Sequence, residues 1–209
     1  MSPLFGRKSH HVGTTAALDE IEKIVYEQLK PYGFRRYGRT LHRFVSGDLS
    51  QVINFQYYAA GFFVNLGIRI PECEVRTFTL PLNDKKYYHE YNCQIRSRLE
   101  IGWLRKCWFD LRQDPQKLAE AILDEIQNCV LPAFDALNSR EQILHHRCDY
   151  PKLDEMHRSQ AVLDETFIYG CRGDLETAKA RFDAYYQTVL EDYNRERTRG
   201  HLKWLRRGE

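Results

Sequence analysis

Apolar and polar positions change period several times along the chain, and the changes outline its elements. Leu18, Ile21, Val25 and Leu29 recur at three- and four-residue steps. That is one stripe of an α-helix, entered from Thr14 or Thr15 and closed by Pro31 and Gly33. Period two follows in "RTLHRFV", "QVINFQYY" and "FFVNLGIRI", runs rich in β-branched and aromatic residues and separated by "SGDLS" and "AAG". They predict an antiparallel meander. Pro71 to Tyr91 holds two prolines and Tyr87, Tyr88 and Tyr91, and reads as a long loop with room for a short helix. "NCQIRSRL" alternates again, Cys93, Ile95, Ser97 and Leu99 against Gln94, Arg96 and Arg98, so a further strand is expected.

Helical spacing then returns. Asp114 and Pro115 are a good N-cap and first-turn pair, and Leu118, Ile122, Ile126 and Cys129 continue as a stripe that Pro132 should kink or restart. Leu153, Met156, Leu163 and Phe167 mark another helical segment. Leu175, Ala178, Phe182, Tyr185, Val189 and Tyr193 mark a long last one. "GDLETAKARF" resembles half of a tetratricopeptide unit, but a single copy makes no solenoid. The expected class is α+β: an antiparallel sheet of about four strands packed on helices in residues 1–150, with a helical extension in 151–209 packed on it or continuous with it.

Strand pairing can be proposed from chemistry, because a slip of one residue exchanges the two faces of a strand. Tyr57 opposite Phe62, across a four-residue loop Tyr58 to Gly61 with Gly61 left-handed, places Phe55 opposite Val64 and Ile53 opposite Leu66 on one apolar side. The reverse side then carries Asn54 opposite Asn65, with Gln56 and Arg69, and gains Gln94, Arg96 and Arg98 if the later strand joins. No carboxylate occurs on these three strands. Asn54, Gln56, Asn65, Arg69, Arg96 and Arg98 are therefore the candidate binding residues, suited to an anionic or hydrogen-bonding partner. They are not suited to proton transfer, since none titrates near neutrality. Ordinary solvation of the outer face also explains the alternation. Asn and Gln are nonetheless poor strand formers, and a bond to the Pro71 to Tyr91 loop is a structural alternative.

Composition narrows the class. The 209 residues, 43% hydrophobic and 29% charged, suit a globular chain with a sizeable core, burying roughly 70% of its unfolded surface. No apolar run is long enough to cross a bilayer, and residues 1–13 lack the apolar centre of a secretory signal, so a cytoplasmic location is expected. Six scattered cysteines without a CxxC pair read as free thiols. His145, His146, Cys148 and His157 are the one metal-like cluster, but the paired short spacings of a zinc site are missing and no metal or cofactor is assigned. Net charge is only +2, unevenly spread: Lys30, Arg35, Arg36, Arg39 and Arg43 occur with no acid among them, and Arg195, Arg197, Arg199, Lys203, Arg206 and Arg207 form a basic tail.

"LKPYGFRRYGRTLHR", "VINFQYY", "FFVNLGI", "CQIRSRL" and "WFDL" together resemble the bacterial family called domain of unknown function 4304, over about residues 20 to 135. The resemblance implies a shared fold and bacterial origin and brings no catalytic residue. It makes Gln56, Asn65, Arg96 and Arg98 motif members.

Three functions compete. A non-catalytic binding protein, an accessory or immunity-like factor holding a protein or anionic partner through the polar sheet face, is the leading one. Nucleic-acid binding is the alternative, motivated by the basic runs interleaved with Phe34, Tyr37, Phe44 and Trp204. An enzyme is third, because no glycine elbow, phosphate loop or paired-carboxylate motif surrounds any cysteine or histidine. Cys93 and Cys129 both fall on expected apolar faces, where thiols are inert.

Overall fold

The computed structural model describes the backbone of residues 9–46, 48–73, 89–102, 106–153 and 161–205. The chain divides into two compact units, Met1–His157 and Arg158–Glu209. The first is α+β, with strands β1 (Arg35–Tyr37), β2 (Thr40–Phe44), β3 (Ser50–Tyr58), β4 (Gly61–Arg69), β5 (Ile95–Arg98) and β6 (Trp108–Asp110). Its helices are α1 (Ser9–Leu29), α2 (Pro115–Glu125), α3 (Leu131–Ala136) and α4 (Arg140–His146). The second unit pairs α5 (Ala161–Cys171) with α6 (Leu175–Leu205). The sheet is antiparallel in the order β1-β2-β3-β4-β5, with β6 also on β4. It has six strands where about four were expected, because β1 and β6 span three residues each, too few for alternation to register.

β3 and β4 pair in the register that chemistry proposed: Ile53 opposite Leu66, Asn54 opposite Asn65, Phe55 opposite Val64, Tyr57 opposite Phe62. The turn differs. Tyr58 pairs with Gly61, leaving a two-residue connection in which Ala59, at φ 53°, is the left-handed residue. Gly61 is instead required by close approach. A Cβ there would lie 2.3 Å from the Phe109 carbonyl oxygen and 2.4 Å from the Trp108 indole.

β5 and β6 run in line along the outer edge of β4. Leu99 N–H donates to Val64 O (2.8 Å) and Trp108 sits opposite Phe63. Pairing with β4 therefore breaks off after Leu99 and resumes at Trp108 between adjacent residues of β4, and Ile101 pairs with Lys106.

The apolar side of the sheet carries Ile53, Phe55, Phe62, Val64, Leu66 and Ile68, all buried. The buried stripes Leu18, Ile21, Val25 and Leu29 of α1 and Leu118, Ile122 and Ile126 running through α2 complete this core, with α1 packed on both α2 and β3. Each such side chain contributes about 1.5 to 3 kcal/mol on full burial. α1 begins earlier than expected, at Ser9, so Thr14 and Thr15 lie inside it. It stops at Leu29 before a turn that Gly33 closes at φ 87°.

Asp114 caps α2 as expected, accepting from Gln116 N–H and Lys117 N–H. Residues Ile126–Val130 form a π-turn ahead of Pro132, whose ring nitrogen cannot donate to the preceding turn. The wider turn carries the stripe from Ile126 to Val130, so Val130 is buried and Cys129 is exposed. That corrects the expected placement of Cys129 on the apolar face.

α4 is capped by Ser139, whose hydroxyl accepts from Gln142 N–H. Arg140 then ties it to the sheet by pairing with Glu72 and Asp48 and donating to the Ser46 carbonyl. In the second unit Ala178 is buried, while Leu175, Phe182, Val189 and Tyr193 of the expected stripe are exposed. Met156 lies outside the described residues.

The turn assignment has a direct test. Ala59→Gly should stabilise the fold by about 1 kcal/mol through relief of the left-handed conformation. Gly61→Ala should destabilise it by about 2 kcal/mol or more through the clash with Phe109 and Trp108. Equilibrium urea unfolding of both variants reads the two signs.

Candidate functional site

The reverse face of the sheet brings the amides together. Thr40, Asn54, Asn65 and Arg98 stand side by side on β2, β3, β4 and β5. Asn54 Nδ2 donates to Thr40 Oγ1 (2.9 Å), and Asn65 Nδ2 donates to Gln56 Oε1 (3.0 Å) and Asn54 Oδ1 (3.4 Å). Arg98 Nε donates to Asn65 Oδ1 (3.3 Å). One chain of side-chain bonds thus crosses four strands.

Asn54, Asn65 and Arg69 are buried, Arg96 and Arg98 half-buried, and Gln56 exposed. Arg69 Nη1 donates to the Asp48 carbonyl (3.4 Å). Gln94 is also engaged within the chain, accepting from Ile70 N–H (2.7 Å) and donating to the Asn92 carbonyl (3.2 Å).

Part of this face is covered by the chain itself. The helical turn Glu90–Asn92 packs against β3 and β4, and Cys93 lies so close to Gly67 that a Cβ there would sit 2.6 Å from its Sγ. Glycine at 67 is what lets the returning segment lie flat on the sheet. Beneath it are the fully buried Val52 and His42. Tyr87 and Tyr88 of the expected loop lie outside the described residues, and Tyr91 is exposed with its ring stacked on His89 at 4.9 Å.

The other end of the face, toward the β3–β4 turn, is left open by the described residues of the first unit. There Arg98 lies over the Phe63 ring at 4.2 Å, Tyr58 packs on Phe63 at 5.9 Å, and the indole of Trp108 covers Gly61. Gln56 and Tyr58 are exposed beside them. The two terminal nitrogens of Arg98 have no partner among the described residues. Asp110, opposite Gly61 in the pairing, is gripped by Arg112, which pulls its pKa down to about 2. Alternation pointed to Gln56 and Arg98. Trp108 was missed because its strand is short.

The basic run of the sequence is largely paired within the chain. Arg36 and Arg39 both bind the buried Glu22, Arg39 also binds Asp19 (2.8 Å), and Arg43 reaches Asp135 (2.7 Å) and Gln51 (2.7 Å). His145 pairs with Glu141 and His146 with Asp149, and no group of three or more metal-ligating side chains gathers among the described residues. His157 lies outside them.

A second concavity of about 320 Å³ opens on the opposite side of β5, between Leu66, Ser97, Glu125, Val130, Lys152 and Leu153. The Ser97 hydroxyl is buried in its wall without a hydrogen-bond partner among the described residues. Cys129 stands at its edge. A hydrogen bond with Glu125, followed by partial burial, pushes that thiol's pKa up.

The family model described as Domain of unknown function (DUF4304) matches residues 25–136, a span containing all six strands. No curated protein and no solved structure matches the chain.

Two measurements follow. Burial, then the charge of His89, drives the His42 pKa from 6.5 down to about 4, so protonation favours the unfolded chain. Stability should be full above pH 6.5 and fall by as much as roughly 3 kcal/mol as pH drops toward 4. His42→Leu should flatten that part of the unfolding profile. At Cys129, iodoacetamide labelling at neutral pH should be slower than for an unperturbed thiol and should quicken in Glu125→Gln. Peptide mass mapping against time checks it.

Proposed function

We propose that this chain, which belongs to the family described as Domain of unknown function (DUF4304), is a non-catalytic binding protein that holds an acidic segment of a protein partner at the open end of its polar sheet face. The observation that carries this reading is the state of Arg98. Its guanidinium is fixed on one side by Asn65 Oδ1 and on another by the Phe63 ring, while its terminal donors are left without a partner among the described residues.

A cation held this way has given up little further freedom when a carboxylate arrives, and the planar fork matches a carboxylate in a bidentate manner. Gln56 adds an exposed amide, and Tyr58 and Trp108 add aromatic surface, the composition of an interface anchor. The amide row behind supports Arg98 in place. The described side chains at this end, Arg98, Gln56, Tyr58 and Trp108, offer hydrogen-bond donors and aromatic surface, which suits binding.

An accessory or immunity-like role fits a protein whose chemistry is to hold an acidic partner. Nucleic-acid binding has less support, because Arg36, Arg39 and Arg43 of the basic run are already engaged by Glu22, Asp19 and Asp135.

Affinity capture from cells that express the protein, followed by titration of the captured partner, tests the proposal. Arg98→Ala should weaken binding about 10- to 100-fold, and Arg98→Lys should recover only part of it. Binding should also fall as salt rises. If the Ala variant captures the same proteins at the same affinity, the open end of the sheet is not the site.

A further inference from the structure

We propose that the concavity beside β5 is a binding site for a small, largely apolar molecule whose one uncharged polar group hydrogen-bonds the Ser97 hydroxyl. All of its walls come from the first unit. β4 and β5 form one wall, the stretch from Glu125 to Ala133 at the junction of α2 and α3 a second, and the turn from Asp149 to Leu153 a third. That turn is tied by Leu153 N–H donating to Tyr150 O (3.0 Å) and anchored by the buried Leu153 side chain.

The position of Ser97 carries the argument. Ile95 and Ser97 of β5, with Leu99 after them, share the helix-facing side, and Ser97 stands opposite Leu66 in the register. Ile95, Leu66 and Leu99 are buried and apolar, and alternation calls for an apolar residue between them. A hydroxyl stands there instead. Ser97 is 2% exposed, and its oxygen has no hydrogen-bond partner among the described residues. Such a group is costly to leave unbonded, and facing a cavity it is satisfied by what the cavity holds.

The walls limit the occupant. Their buried members are Leu66, Leu99, Val130, Ala133 and Leu153, with Ser97 as the polar one. The charged residues around the cavity, Arg98, Glu100, Glu125, Asp149 and Lys152, are of both signs, and each is exposed or half-buried. An ion brought down to Ser97 would give up its water for a single hydroxyl, a poor exchange. A neutral donor or acceptor loses far less and matches a hydroxyl, which can both donate and accept. Size points the same way. A cavity of roughly 150 Å³ takes one benzene ring, so the 320 Å³ here has room for a ring with a side chain. An apolar cavity with few polar groups is the usual form of a small-molecule site.

Titration of the full chain with para-ethylphenol, followed by amide proton–nitrogen correlation spectra, tests this. The shifts should centre on Ser97, Leu99, Val130 and Leu153 and saturate in the millimolar range or below. Ethylbenzene, the same body without the hydroxyl, should bind about tenfold more weakly, and para-ethylbenzoate, charged at neutral pH, more weakly than para-ethylphenol as well. Ser97→Ala should lower para-ethylphenol to the level of ethylbenzene and leave ethylbenzene unchanged. Ala133→Leu should fill the cavity and abolish binding of both with the far-ultraviolet circular dichroism preserved. If that variant does not fold, Ser97→Ala, which only removes a polar atom from a buried wall, decides alone. The proposal is overturned if no probe moves these amides, if the shifts centre elsewhere, if Ser97→Ala keeps the preference for the phenol, or if the benzoate binds best.

Discussion

Everything else in the first unit depends on β3 and β4 being buried on both faces over Ser50 to Phe55 and Val64 to Arg69. Antiparallel strands commonly keep one face wet, and on such strands an Asn or Gln needs no partner but water. Here Asn54 and Asn65 are shut away, and an unbonded amide in that position costs about 1 to 3 kcal/mol, more than the whole strand-propensity scale of about 1 kcal/mol. The amides must therefore find one another. The register that sets Asn54 opposite Asn65, with Thr40 and Arg98 on either side, supplies the partners. A slip of one residue would turn these amides into the helix-facing core and set Phe55 and Val64 in the polar row, so polar and apolar demands enforce the same alignment.

The cover on that face is local, and this is what divides structure from candidate function. Gly67 admits Cys93 and the turn before it, and the buried His42 and Val52 lie below. Toward the β3–β4 turn the cover supplied by the described residues ends while the row of bonds continues to Arg98 and Gln56. The row thus has an internal part that stabilises the sheet and a terminal part that meets solvent. The Arg98 guanidinium at this boundary is oriented by Asn65 and by the Phe63 ring.

The remaining arginines show how differently the same side chain can be used. Glu22 on α1 is buried and bound by Arg36 and Arg39, which ties the first helix to the β1–β2 hairpin. Arg43 ties β2 to α3 through Asp135, and Arg140 ties α4 to the segment preceding β3 and to the segment following β4. Gln51, on the helix-facing side, donates to the Phe134 carbonyl of α3 (2.5 Å), one of the terminal carbonyls a helix leaves unpaired. These contacts join residues distant in the chain, and a run of basic letters becomes a set of internal fasteners.

Much of the fold was legible because it follows from local periods. The stripe of α1, the Asp114 cap, the β3–β4 register and the strand at Ile95–Arg98 all rest on spacing within a few residues, which backbone geometry converts directly into a face. Where a second segment decides, the sequence was silent or misleading. Ala59 rather than Gly61 took the left-handed turn because Trp108 and Phe109 demanded the glycine, and Cys129 was turned outward by a π-turn ahead of Pro132. Alternation named Asn54, Gln56, Asn65, Arg69, Arg96 and Arg98, but could not say which of them would be enclosed. Only the tertiary structure decided that, because burial belongs to whatever the chain lays over a face, and a strand's own sequence carries no record of what returns to cover it.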